Sequence, residues 1–141
     1  MKRSSTAVWN GTGKEGSGHL TTQSQVLNKS QYSWSSRFAE GTGTNPEELL
    51  AAAHSGCFSM KLSFILGEAG FVPDHIETTS VVTIESGTIT GSHLTVKAHV
   101  PGITPEKLKE CAEKAKETCP VSKALAIPVT LETSLAEKAV F

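Results

Sequence analysis

TNPEELLAAAHSGCFSMKLSFILGEAG, residues 44–70, is the stretch whose reading decides the fold. Asn45 is a good helix N-cap, Pro46 suits the first helical position, and Glu48 stands where a capping box places an acid. Gly70 closes the helix as a C′ glycine, with Pro73 three residues on. The 24 residues Pro46–Ala69 would span roughly 36 Å at the α-helical rise. Between Leu49 and Gly67 the only formal charge is Lys61, so the helix reads as apolar nearly all round and is expected to be buried. Cys57 stands in its middle, beside Ala51, Ala52, Ala53, Ser55 and Gly56. Small neighbours let another backbone approach closely, and a cysteine there is either packed core or chemistry.

At 141 residues the chain reads as one domain over 1–141, able to bury about two-thirds of its unfolded surface. A net charge of −1 with interspersed signs gives no nucleic-acid or membrane signature. MKRSSTAVW carries no apolar signal core, and His54, Ser55, Ser59 and Lys61 interrupt the long helix, so the expectation is a soluble, cytoplasmic protein. Cys57, Cys111 and Cys119 form neither a CxxC pair nor a disulfide framework.

Upstream of the long helix, residues 4–9 and 19–27 read as two strands around GTGKEGSG. This loop contains GxGxxG (Gly11, Gly13, Gly16), but the HLTTQSQVL that follows favours a strand. A dinucleotide site needs a helix there, so the loop reads as a hairpin. YSWSSRF (32–38) alternates as a third strand, with Tyr32, Trp34, Ser36 and Phe38 on one face and Arg37 on the other. Downstream, 75–85 and 92–100 read as strands, with Ile76, Val82 and Ile84 on one face of the first. Leu94, Val96, Ala98 and Val100 share a face of the second, opposite His93, Lys97 and His99. Thr104 and Pro105 open a second helix whose apolar stripe is Leu108, Cys111, Ala112, Ala115 and Cys119. Cys119 ends it, because Pro120 disfavours helical backbone at the preceding residue. VSKALA reads as a further turn, 127–135 as a last strand and AEKAVF as a tail. The order βββ–α–ββ–α–β defines an α+β fold with a mainly antiparallel sheet on the central helix.

Cys111, mid-stripe, reads as a packing residue. His54 and Cys57, at i and i+3, share a helix face suited to zinc, but the set lacks two further ligands. Cys111 and Cys119 lie eight residues apart on another helix, about 12 Å along its axis. No metal is expected. His54 itself reads as a packed or interface histidine able to tune Cys57.

TNPEELLAAAHSGCFSM, then KLSFILGEAGF and CPVS at 119–122, closely resemble the OsmC/Ohr family of thiol-dependent hydroperoxide reductases, and the OsmC branch in AAAHSGC. The resemblance extends to the N-terminal strands, to SRF with Arg37 and to VPGIT. It implies the OsmC-like fold as an intertwined homodimer. It places Cys57 at the peroxidatic position and Cys119 at the resolving one, with Arg37 and Glu47 as the catalytic arginine and acid. It implies an organic hydroperoxide as substrate, a lipoyl-type dithiol or small thiol as reductant, and no cofactor.

The chemistry asks for these groups. An ordinary thiol is only a few per cent thiolate at pH 7, and burial lowers that fraction. A guanidinium beside the sulfur offsets burial, and a carboxylate holds the guanidinium in place. Glu47 lies ten residues before Cys57, about 15 Å on a straight helix, too far for one arginine to hold both. Either the helix breaks near Ala53–Gly56 or the acid comes from a partner subunit. Phe58, Met60, Trp34 and Phe38 are the expected apolar surroundings of the thiol, favouring organic hydroperoxides. Two rivals stand beside this reading: a non-catalytic binding module with inert cysteines, and a protein thiol–disulfide oxidoreductase, which the missing CxxC disfavours.

Overall fold

The computed structural model describes residues 1–137 and divides into an N-terminal unit, Met1–Leu49, and a C-terminal unit beginning at Leu50. In the first, β1 (Ser5–Asn10), β2 (Ser17–Thr22) and β3 (Ser30–Ser33) form an antiparallel sheet in that order. Asn10 pairs with Ser17 across the glycine-rich loop, which is therefore a hairpin connection, as its sequence predicts. A Cβ at Gly16 would collide with the carbonyl oxygens of Asn10 and Thr12, so the loop closes only around glycine there.

The third strand is shorter than its alternation suggests. Trp34–Phe38 is a one-turn helix, α1, instead of strand. The reason is a reciprocal cap: the Ser36 N–H donates to Ser33 Oγ at 3.2 Å, and the Ser33 N–H donates to Ser36 Oγ at 2.8 Å. Trp34 and Phe38, at i and i+4, consequently pack at 5.6 Å between centroids. Arg37 Cζ lies 5.0 Å from the Phe38 ring centroid, on the aromatic side and not opposite it.

The central helix α2 runs from Pro46 to Glu68 without interruption, which removes the break considered near Ala53–Gly56. The Glu48 N–H donates to Asn45 Oδ1 at 2.8 Å, while the Glu48 carboxylate accepts from Thr44 Oγ1 at 2.7 Å. At the far end Gly70 takes φ +90°, and the Phe71 N–H donates to the Leu66 carbonyl at 2.8 Å, a Schellman closure. The expectation of all-round burial holds for one face only. His54, Phe58, Leu62, Ile65 and Leu66 are buried, whereas Ala53, Gly56, Met60, Phe64 and Gly67 form an exposed stripe. Met60 and Phe64 are each 66% exposed. The helix has the length and composition of a membrane span, but its buried face is part of the core. The Ser59 hydroxyl is also tied to Thr78 Oγ1 of the neighbouring strand at 2.7 Å.

In the C-terminal unit β4 (His75–Glu85) and β5 (Thr88–His99) form an antiparallel hairpin. Its two linking residues, Ser86 and Gly87, both have positive φ, the signature of a type I′ turn. α3 (Pro105–Thr118) is capped by Thr104, and α4 (Pro120–Ala124) follows at once. β6 (Val129–Leu135) then adds beside β5 in parallel, so the sheet order is β4-β5-β6. The predicted stripe of α3 is buried, and Leu94, Val96 and Ala98 of β5 meet it and α2 in one apolar cluster. Of the tail predicted at 136–141, residues 138–141 lie outside the described part.

Candidate active site

Two helices bring the two singled-out thiols together. Cys57 sits in the fourth turn of α2, one residue from core Phe58, and Cys119 occupies the junction where α3 ends and α4 begins. The α3 cap N–H of Cys119 donates to Ala115 O at 2.8 Å, and Pro120 turns the chain into α4. The two sulfurs are 3.1 Å apart and both thiols are free. Cys119 is fully buried and Cys57 is partly open.

The surroundings of the two thiols differ. Burial pushes the Cys57 thiol up, and its hydrogen bond with Cys119 pushes the same way. The Val121 N–H and the Lys61 charge act in the opposite direction without overcoming them. For Cys119 burial is the largest single influence and raises it. The Ser122 N–H, the Cys57 thiol, the Ser122 hydroxyl and the Val121 N–H together outweigh burial and hold Cys119 below the ordinary thiol value. The two thiols share one hydrogen bond, so the ionisation of either depends on the state of the other. Cys111, in contrast, lies mid-stripe and is pushed up chiefly by burial, which suits a packing residue.

His54, one turn before Cys57, is fully buried. Its Nδ1 is hydrogen-bonded to Ser92 Oγ at 2.6 Å and its Nε2 to Ser122 Oγ at 2.7 Å. Ser92 Oγ is in turn 2.9 Å from Ser80 Oγ. Burial lowers the His54 pKa, so the ring is neutral near pH 7. These serines were not singled out in the sequence, although Ser92 carried a signal. It is a polar residue in phase with buried Leu94, Val96 and Ala98, and such a residue needs a partner. Among the described residues no group of three or more His, Cys, Asp or Glu side chains is placed to hold a metal.

In the N-terminal unit, Arg37 and Glu47 pair with each other: the Arg37 Nε donates to Glu47 Oε1 at 2.7 Å. The pairing follows from the α1 turn, which carries Arg37, and from the Asn45 side chain, whose Nδ2 donates to the Ser36 carbonyl at 2.9 Å. Glu47 is 7% exposed while the arginine side chain is 39% exposed. The bond uses one of the five guanidinium N–H donors. Trp9, Tyr32, Trp34, Arg37 and Phe38 line a hollow of about 230 Å³ on this unit. Of the expected apolar residues near the thiol, Phe58 is fully buried in the core, so it offers no surface to a substrate.

A close thiol pair of unlike surroundings and an arginine held by a buried carboxylate are groups that thiol-based redox chemistry uses. The model of the OsmC-like protein family matches residues 39–134, and the chain belongs to that family. It is 45% identical over 133 residues to the peroxiredoxin OsmC of Escherichia coli, covering 92% of this chain and 93% of that one. It is 31% identical over 109 residues to the organic hydroperoxide resistance protein OhrB of Bacillus subtilis, covering 76% of this chain and 80% of the relative. The crystal structure of OhrB superimposes with a TM-score of 0.66 at 28% identity, over 94% of this chain and 98% of that one. An OsmC-like protein of Mycoplasma pneumoniae has the same fold, with a TM-score of 0.75 at 13% identity, over 97% and 99% of the two chains.

Proposed function

We propose that the chain is a thiol-dependent peroxidase that reduces organic hydroperoxides to alcohols, with Cys57 as the peroxidatic and Cys119 as the resolving cysteine. The observation that carries this is the 3.1 Å approach of the two sulfurs, one buried and one partly open. The relatives, a peroxiredoxin and an organic hydroperoxide resistance protein, support a peroxidase role in hydroperoxide and stress defence. The whole chain, 1–141, acts as one OsmC-like domain, soluble and cytoplasmic.

The reaction needs no cofactor. The Cys57 thiolate attacks one peroxide oxygen: an S–O bond forms, the O–O bond breaks, and the alkoxide leaves and takes up a proton to become the alcohol. The Cys119 thiolate then attacks the sulfur of the Cys57 sulfenic acid. The S–S bond forms, the S–O bond breaks, and hydroxide leaves as water after protonation. An external dithiol, lipoyl-type or small, reduces the disulfide and is itself oxidised.

The site needs a charge to draw the thiolate onto Cys57, because its own unit raises that thiol. Arg37, held by Glu47, supplies it and donates to the peroxide as negative charge develops on the leaving oxygen. With α2 unbroken from Pro46 to Glu68, the pair acting on each Cys57 comes from the partner in an isologous homodimer. The exposed Met60–Phe64 stripe is the contact surface. The aromatic hollow beside Arg37 suits the organic part of the substrate.

Stopped-flow mixing of reduced protein with cumene hydroperoxide, followed by peptide mapping, tests the reading. Stoichiometric peroxide loss with a Cys57–Cys119 disulfide is expected. A Cys57–Cys111 disulfide would reassign the resolving residue, and no turnover with three free thiols would refute the peroxidase.

A further inference from the structure

We propose that His54 is a positioning residue for the resolving cysteine: its Nε2, 2.7 Å from Ser122 Oγ, turns that hydroxyl onto the Cys119 sulfur. The inference rests on the thiol-pair function above, and its test below does not depend on peroxide.

The imidazole has both nitrogens engaged and no exposed surface. It joins Ser80 and Ser92 on one side to Ser122 on the other, three residues after Cys119, and the Ser122 hydroxyl is one of the groups that lower the Cys119 thiol. A neutral ring and three hydroxyls make a chain with two consistent senses. In the first, Ser80 donates to Ser92, Ser92 donates to Nδ1, and the Nε2–H donates to Ser122. The single Ser122 proton is then left for the Cys119 thiolate. In the second, every bond reverses: the Cys119 thiol donates to Ser122, Ser122 to Nε2, the Nδ1–H to Ser92, and Ser92 to Ser80. Each form of the sulfur is thus satisfied by the same atoms.

Two features make this more than packing. A serine hydroxyl on its own rotates among several acceptors, and an imidazole donor removes that freedom. A doubly protonated ring would donate from both nitrogens and block the second sense, and burial keeps the ring neutral. The chain therefore stabilises Cys119 as the attacking thiolate in the step that forms the S–S bond and releases hydroxide from Cys57.

The test is the pH titration of the Cys119 Cβ chemical shift in the fully reduced, 13C-labelled protein, which reads the thiolate fraction of a buried sulfur directly. Ser122→Ala and His54→Phe are each expected to lower the Cys119 thiolate fraction at pH 7 by about tenfold, the loss of one hydrogen bond to the charged form. The double variant should be no worse than either single one, because both break the same chain. His54→Gln, which can still present an N–H to Ser122, should restore part of the loss. Wild-type titration of Cys119 in Ser122→Ala would overturn the proposal. So would an undiminished effect of His54→Phe in the Ser122→Ala background, which would make the histidine a packing residue only. If His54→Phe fails to fold, Ser122→Ala and His54→Gln decide the matter alone. A protein with the titration shifts but no peroxide turnover would keep the relay and lose the peroxidase. The reverse result would do the opposite.

Discussion

Substituting Phe64 by glutamate tests whether the open stripe of α2 is where two copies meet. Met60 and Phe64 are each 66% exposed in the single chain, and large apolar side chains carry about 200 Å² each. Covering both removes about 260 Å² of apolar surface per chain, or about 6 kcal/mol at the usual coefficient and about 12 kcal/mol for a symmetric pair. That is an upper bound set against an association cost of about 4–15 kcal/mol. These two side chains are therefore enough to decide the equilibrium. Losing Phe64 on both sides forfeits about 6 kcal/mol, about four orders of magnitude in the dimer dissociation constant. The two buried carboxylates would add to the loss. Sedimentation equilibrium from 0.1 to 50 µM is the assay. Wild type is expected at twice the 14.9 kDa chain mass, and Phe64→Glu as a monomer with normal circular dichroism. Peroxide turnover of the variant should be low throughout that range, since each site is proposed to borrow Arg37 and Glu47. A wild type that sediments as one chain at micromolar concentration would refute the dimer, and a Phe64→Glu dimer as tight as wild type would refute the surface.

Other outcomes follow from the same geometry. Cys57→Ser should abolish peroxide loss, whereas Cys119→Ser should consume one equivalent and accumulate a sulfenic acid, detected by dimedone labelling and mass spectrometry. Glu47→Gln weakens the hold on the Arg37 guanidinium and should slow the peroxide step about 10–100-fold, a loss of roughly 1.5–3 kcal/mol for a charged hydrogen bond. Stopped-flow rates would show it. Leu62→Ala empties a fully buried core position and should cost about 2–5 kcal/mol in urea unfolding. The native pKa of His54 lies below its unfolded value of 6.5 through burial, so the unfolded chain binds the extra proton first. Stability should be at its full value above pH 6.5 and fall as pH drops below it, by up to about 1.4 kcal/mol per pH unit from this group. His54→Gln should flatten that part of the profile in urea titrations at pH 5.5 and 7.5.

Local signals in the chain were accurate where backbone and side chain asked for the same thing. Asn45, Pro46 and Gly70 bounded α2, Thr104 and Pro120 bounded α3, and the α3 stripe came out buried residue by residue. The alternation of β5 likewise separated Leu94, Val96 and Ala98 from Lys97. YSWSSRF failed because alternation and helical capping compete over so short a run. The Ser33–Ser36 cap prevailed and moved Arg37 to the aromatic side. Composition also overstated the burial of α2, since an apolar helix shows how much surface must be covered and not whether one chain covers it.

The sequence by itself determined the family, through NPEEL, AAAHSGC and CPVS, and with it the α+β order of elements and the four groups proposed to carry the chemistry. Caps, periodicity and motif spacing are local properties, written within a few residues of one another. The tertiary structure alone decided that Cys57 and Cys119, sixty-two positions apart, meet sulfur to sulfur at 3.1 Å. It also decided that His54 ends on Ser122 and Ser92 instead of on Cys57. Those facts depend on which donors converge in a buried space where water cannot substitute for them. That convergence exists only once α2, β5 and the α3–α4 junction have packed together.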